Sequence, residues 1–179
     1  DCQEARDTFV DNGVDDDGNG FVDDVRGYDF ADGDSDPTDE NGHGTHMAGT
    51  VAANRDGIDT DASGNEWEVS GVAYNAQIMP VRVFNQDGSS DSKLAAGIRY
   101  AIANGADVIN IPIGQPFNEL AKTQKALTEA REAGIPTIMP TGNNRQGEDT
   151  QLPGFPARYA ALDMGIAVGA VNEEQEVID

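Results

Sequence analysis

Residues 107–114 read Asp-Val-Ile-Asn-Ile-Pro-Ile-Gly, a continuous apolar strand of the kind buried on both faces of a parallel sheet. Its neighbours constrain the fold further. Residues 91–104 set Leu94, Ile98, Ala101 and Ile102 at i, i+4, i+7 and i+8, the spacing of one helical face, with Gly105 next as a C-cap. Residues 118–133 carry a second such face with Leu120, Leu127 and Ala130, closed by Gly134. Further strands are expected at 78–84, where Pro80 is a local weakness, and at 135–139 and 166–171, with a small-residue helix at 43–54. Alternation of strand and helix predicts an α/β fold: a mostly parallel sheet, right-handed crossovers, and helices on both faces. In open sheets the functional crevice lies beyond the carboxyl ends of the strands. Gly114 and the segment Thr141-Gly142-Asn143-Asn144 fall at two such ends, so they are expected to be neighbours.

The first 40 residues are different. They hold 15 Asp or Glu against two Arg, in a glycine-rich stretch that cannot build a core unaided. The chain reads as a single domain over 1–179, with an acidic loop region at 1–40 and an α/β core at 41–179. A formal net charge of −22 disfavours nucleic acid or an anionic membrane as partner and favours bound cations or a salty habitat. No run approaches the length of a membrane span. The lone Cys2 cannot close an internal disulfide. The chain begins at Asp1 without an initiator Met or an apolar leader, which points to a preceding segment.

Within the acidic region, Asp15-Asp16-Asp17-Gly18-Asn19-Gly20-Phe21-Val22-Asp23-Asp24 alternates oxygen-bearing side chains around a glycine turn. Asp15, Asp17 and Asn19 would supply side-chain oxygens and Phe21 a carbonyl, a hard-donor set suited to calcium. Arg26 stands where an EF-hand would place its bidentate Glu, so Asp23 or Asp24 must close the shell. Asp34, Asp36 and Asp39 are candidates for a further ion but read rather as an exposed charge run.

Residues 41–50, Asn-Gly-His-Gly-Thr-His-Met-Ala-Gly-Thr, place His43 at the glycine-flanked start of the expected helix. An imidazole there is suited to moving protons near neutral pH. Asn143, after a strand end, offers an amide that could donate to a developing oxyanion. The His43 block resembles the histidine motif of the subtilisin-like serine peptidases, the subtilases, and Pro140-Thr141-Gly142-Asn143 resembles that family's oxyanion-hole segment. The two lie 100 residues apart, close to about 90 in the family. The resemblance implies that His43 is the general base, with His46 a structural neighbour, and that Asn143 is the oxyanion donor. It extends to Asp87-Gly88-Ser89-Ser90 and Pro153-Gly154-Phe155-Pro156-Ala157, which resemble cleft-lining segments. Some subtilases also carry an Asp-Asp-Asp-Gly-Asn-Gly insertion ahead of the histidine, which agrees with calcium at 15–24.

The chain departs from the family pattern in three places. Pro112-Ile113-Gly114 replaces a Ser-Leu-Gly strand end, removing an N–H from the edge that pairs with substrate. No Gly-Thr-Ser-Met-Ala block occurs, and every serine lies at or before position 92. Asp11, in Asp11-Asn12-Gly13-Val14-Asp15, is 32 residues before His43 as a triad acid should be, yet no long apolar strand precedes it. The expectation is an incomplete catalytic domain, ending before its serine motif. It would be extracellular, calcium-stabilised and inert alone, and would act on polypeptides in an intact unit completed by a C-terminal segment or a second copy. Two other readings stay open: a pseudopeptidase or binding module, and a calcium-responsive structural domain.

Overall fold

The computed structural model describes residues 11–55, 59–60, 63–64, 66–67, 70–114, 119–142 and 153–175. Among these, the strands are β1 (Tyr28–Asp29), β2 (Asp59–Thr60), β3 (Glu66–Trp67), β4 (Val81–Arg82), β5 (Ile109–Asn110), β6 (Thr137–Pro140) and β7 (Ile166–Val168). The helices are α1 (His43–Ala52), α2 (Asp91–Ala103) and α3 (Ala121–Glu132), with a 3-10 helix at Ala157–Leu162. β5, β6 and β7 form a parallel sheet in that order, with Asn110, Ile138 and Ile166 in register. β1 and β4 form a second parallel pair, and β2 and β3 an antiparallel one.

Both core helices start and stop for local reasons. Ser90 caps α2 through its hydroxyl, which accepts the Lys93 N–H at 3.2 Å. At the other end Gly105 turns left-handed (φ +73°), and the N–H groups of Gly105 and Ala106 return to the carbonyls of Ile102 and Ala101. Gly134 (φ +76°) repeats this arrangement after α3, with bonds from Gly134 to Arg131 and from Ile135 to Ala130. The glycines read from the sequence as helix stops are left-handed caps.

α2 and α3 pack on each other, α2 also against β4 and α3 against β6, and Leu94, Ile98, Ile109, Ile111, Leu127 and Met139 build the core there. Gly97 allows the close approach: a Cβ there would lie 2.8 Å from Val83 Cγ1 and 3.0 Å from Val81 Cγ1. The opposite face of the three-stranded sheet is not covered by the described residues, and Val108, Ile166 and Val168 are each about half exposed. This corrects the expectation that 107–114 is buried on both sides. That strand is also short: the Ile109 and Ile111 N–H groups bond to Pro136 and Ile138, but the next donor on that side, Ile113, turns back to the Ile111 carbonyl at 2.8 Å. β4 likewise begins only at Val81, after Pro80, which has no N–H to donate.

The acidic region contributes more than loops. β1 lies in it, and Phe21, Tyr28, Phe30 and Tyr100 form a cluster of edge-on and tilted rings, with Phe21 5.1 Å from Tyr100 and Phe30 5.7 Å from it. These aromatics fasten the region to α2.

Candidate active site

α1 begins on glycine. Gly42 is its N-cap, left-handed at φ +90°, and carries no side chain to satisfy the first N–H groups of the helix. That work falls to Asp39. One carboxylate oxygen accepts from the N–H of Asn41 (3.0 Å) and Gly42 (2.9 Å), the other from the Thr45 N–H (2.7 Å) and hydroxyl (2.8 Å). Led by those from Thr45, these bonds hold the Asp39 carboxyl far below the ordinary carboxylate range. At the other end, the N–H groups of Gly71, Val72 and Ala73 take the carbonyls of Ala53, Thr50 and Val51.

His43 is the first residue of α1, and its side chain is exposed. The helix buries none of its residues among those described. No hydrogen bond or ion pair joins His43 to Asp11, which is itself exposed.

The loop before α1 is tied down by charge. Arg82 on β4 pairs with Asp29, with Asp32 (2.5 Å) and with Glu40 (2.9 Å). Asp29 is 1% exposed and also accepts the N–H groups of Ala31 (2.6 Å) and Asp32 (3.0 Å). The Asp29 and Asp32 carboxylates hold the Arg82 pKa above its usual range, so the hub stays charged. Sequence reading missed this cluster and placed Asp39 in an exposed charge run. The available signal was an aspartate four residues before a helix whose own cap is glycine.

At the carboxyl ends of the strands, glycine backbones converge. A Cβ on Gly114 would lie 3.8 Å from Gly142 Cα, as the strand order had predicted. Thr141 donates its N–H to Val168 (2.8 Å) and accepts from Gly154 (3.0 Å). Asn143 lies outside the described residues, directly after this junction. The two resembling cleft segments also meet: Phe84, Ser89, Ser90, Ile113, Phe155 and Pro156 line a water-sized cavity of about 10 Å³. The Ser89 hydroxyl is buried there without a hydrogen-bond partner.

In the acidic loop, Asp15 accepts the N–H groups of Gly18 (2.8 Å), Asn19 (3.1 Å) and Gly20 (2.9 Å), curling the turn around one carboxylate. Asn19 directs its amide N–H groups to Asp17 (3.1 Å) and Asp24 (2.9 Å). Asp23 accepts from Asn12 and Gly13, Asp24 also from the Tyr100 hydroxyl (2.6 Å), and the Phe21 N–H bonds to Asn19. The donor chemistry suits a hard cation, but N–H and O–H donors now engage these oxygens. Among the described residues no three acidic, histidine or cysteine side chains converge as a metal cluster.

Comparisons with known proteins agree with this geometry. Subtilisin DY of Bacillus licheniformis is 40% identical over 152 residues, spanning 84% of this chain and 51% of its own. The Thermophilic serine proteinase of Bacillus sp. (strain AK1) is 37% identical over 150 residues, 83% of this chain and 33% of its own. The solved structure of Sphericase superposes with a TM-score of 0.62 at 28% identity, over 83% of this chain and 48% of that one. The chain thus spans about half the length, or less, of the relatives it matches. A sequence model described as the Subtilase family matches residues 5–179, through the histidine helix and every parallel strand, and the chain belongs to that family.

Proposed function

We propose that this chain supplies the general base and the oxyanion donor of a serine endopeptidase that hydrolyses peptide bonds in polypeptides. His43 takes the proton from a serine hydroxyl as its oxygen attacks the scissile carbonyl, then returns it to the leaving amine. Asn143 donates to the oxyanion that forms. None of the serines at or before position 92 lies in a nucleophile motif, so that hydroxyl comes from another segment of the intact unit or from another chain. The observation that carries this reading is the His43 helix start combined with the Gly114–Gly142 junction that immediately precedes Asn143. The half-exposed sheet face at Val108, Ile166 and Val168 is where a completing segment or second copy would pack.

Calcium at 15–24 belongs to the same proposal. Asp15, Asp17, Asn19 and the Phe21 carbonyl, with Asp23 or Asp24, would hold it once Asn19 turns its carbonyl oxygen inward. The ion would stabilise the loop and take no part in proton transfer. Work outside the cell goes with the subtilase reading. No described helix is long and apolar enough to cross a membrane, and the charge of −22 opposes nucleic acid as partner.

The test is His43→Ala in the serine-containing unit, which should abolish peptide hydrolysis while circular dichroism stays unchanged. Retained turnover rules the assignment out. Asn143→Ala should cost two to three orders of magnitude in kcat, roughly the scale set by subtilisin itself. Pro112 favours a second reading, a pseudopeptidase that binds peptides without cleaving them. An intact unit that binds peptide but is not labelled by a serine-directed fluorophosphonate would support it.

A further inference from the structure

We propose that Asp39 is a positioning residue for His43: its carboxylate fastens the backbone on both sides of the histidine, while Glu40 and Arg82 tie that clamp to buried Asp29. The role in proton transfer rests on the peptidase reading above; the clamp itself does not.

The contacts account for why a carboxylate is needed there. A helix beginning on a glycine lacks the side-chain oxygen that normally accepts an N-terminal N–H, and Gly42 has none to offer. The sequence also leaves His43 between two glycines, Gly42 and Gly44, where the backbone has the most freedom to lose. An imidazole that must meet a serine hydroxyl within hydrogen-bond reach cannot ride on a loose turn. Asp39 removes that freedom from both directions. Its Oδ1 holds Asn41 and Gly42 before the histidine, and its Oδ2 holds the N–H and hydroxyl of Thr45 after it. All of its bonds come from N–H or O–H donors, which an ionised carboxylate alone can accept at once.

A clamp made only of local bonds would move with the loop. Here the next residue, Glu40, accepts from Arg82 Nη2 at 2.9 Å, and Arg82 also engages Asp29 on β1. The 1% exposure of Asp29 sets the far end of the chain in the packed interior. Thr45, Asp39, Glu40, Arg82 and Asp29 therefore link the histidine turn to the β1–β4 pair. None of them needs to touch substrate.

The test uses the His43 and His46 rings in the serine-containing unit as reporters, assigned through His43→Ala and His46→Ala. In Asp39→Ala, the Thr45 amide should exchange with solvent at least about tenfold faster. The His43 ring signals should shift and average, while those of α2 and α3 stay in place. Asp39→Asn, which keeps one acceptor oxygen but adds an NH₂, should fall between the two and guards against a variant that fails to fold. Unchanged His43 signals and Thr45 exchange in both variants would overturn the clamp. In the serine-containing unit, Asp39→Ala should lower kcat by at least about tenfold with KM within about twofold. An unchanged kcat there would overturn the positioning role. Turnover that survives His43→Ala would instead defeat the peptidase reading and leave the NMR outcome to decide the clamp.

Discussion

Asp91, the first residue of α2, caps α3 by reaching across to Thr123. Its Oδ1 accepts the Thr123 N–H and hydroxyl, both at 2.8 Å, and its Oδ2 accepts the Lys122 N–H at 2.8 Å. Leu120, the residue at the N-cap position of α3, offers no side-chain oxygen. One aspartate thus starts one helix and terminates the unsatisfied end of another, joining the two elements that form most of the core.

Replacing Asp91 by Ala should therefore damage α3 more than α2, which keeps its Ser90 cap. The expected cost is about 1–2 kcal/mol, or roughly 3–8 °C in Tm. Burial works to raise the Asp91 pKa, but the donors on Lys122 and Thr123 outweigh it and hold the carboxyl below its ordinary range. The sign follows: its contribution is complete above about pH 4 and is lost as pH falls below that. Urea unfolding of Asp91→Asn should show less acid dependence than the parent; equal dependence would contradict the cap.

Tyr100 governs the other end of the pH scale. Burial, and then the hydrogen bond to Asp24, push its phenol well above the ordinary tyrosine range. The unfolded chain releases that proton near about pH 10 while the folded chain retains it, so stability falls as pH rises beyond that point. Tyr100→Phe keeps the ring cluster but should cost about 1–3 kcal/mol at neutral pH, because Asp24 loses an O–H donor. Its stability should also fall less steeply between about pH 9 and pH 11.

Calcium binding at 15–24 should be visible as stabilisation. At about 100 times its dissociation constant, calcium should add about 2.7 kcal/mol, or roughly 5–10 °C in Tm. Asp15→Ala and Asp17→Ala should each abolish the shift, and magnesium should not reproduce it. Differential scanning calorimetry that shows no calcium-dependent shift in the parent removes the ion from the proposal.

Two glycine-to-alanine changes should act in opposite directions. In α2, Gly97→Ala would bring a Cβ to 2.8 Å from Val83 Cγ1, and overpacking of about 1–3 kcal/mol should outweigh the gain in helix propensity. In α1, nothing among the described residues lies within 4 Å of a Cβ on Gly49, so the same change should stabilise by about 0.5–1 kcal/mol. Thermal unfolding of the two variants decides whether α2 is pressed against β4 at Gly97 while α1 has room at Gly49.

The sequence by itself determined the parallel α/β class, the α2 and α3 faces, both glycine stops, and the meeting of Gly114 with Gly142. All of these follow from periodicity, left-handed turns or strand order, which are local properties or topological rules. It also marked His43 through a contiguous block. Only the tertiary structure decided which acids matter. Asp29, Asp39 and Asp91 look alike in a chain with 33 acidic residues, and their roles depend on what folding brings opposite them: a guanidinium from β4, a helix start on glycine, and the uncapped end of α3. The open sheet face is of the same kind. A continuous apolar run states that a strand can be buried on both sides, but which side is covered depends on which other segments arrive.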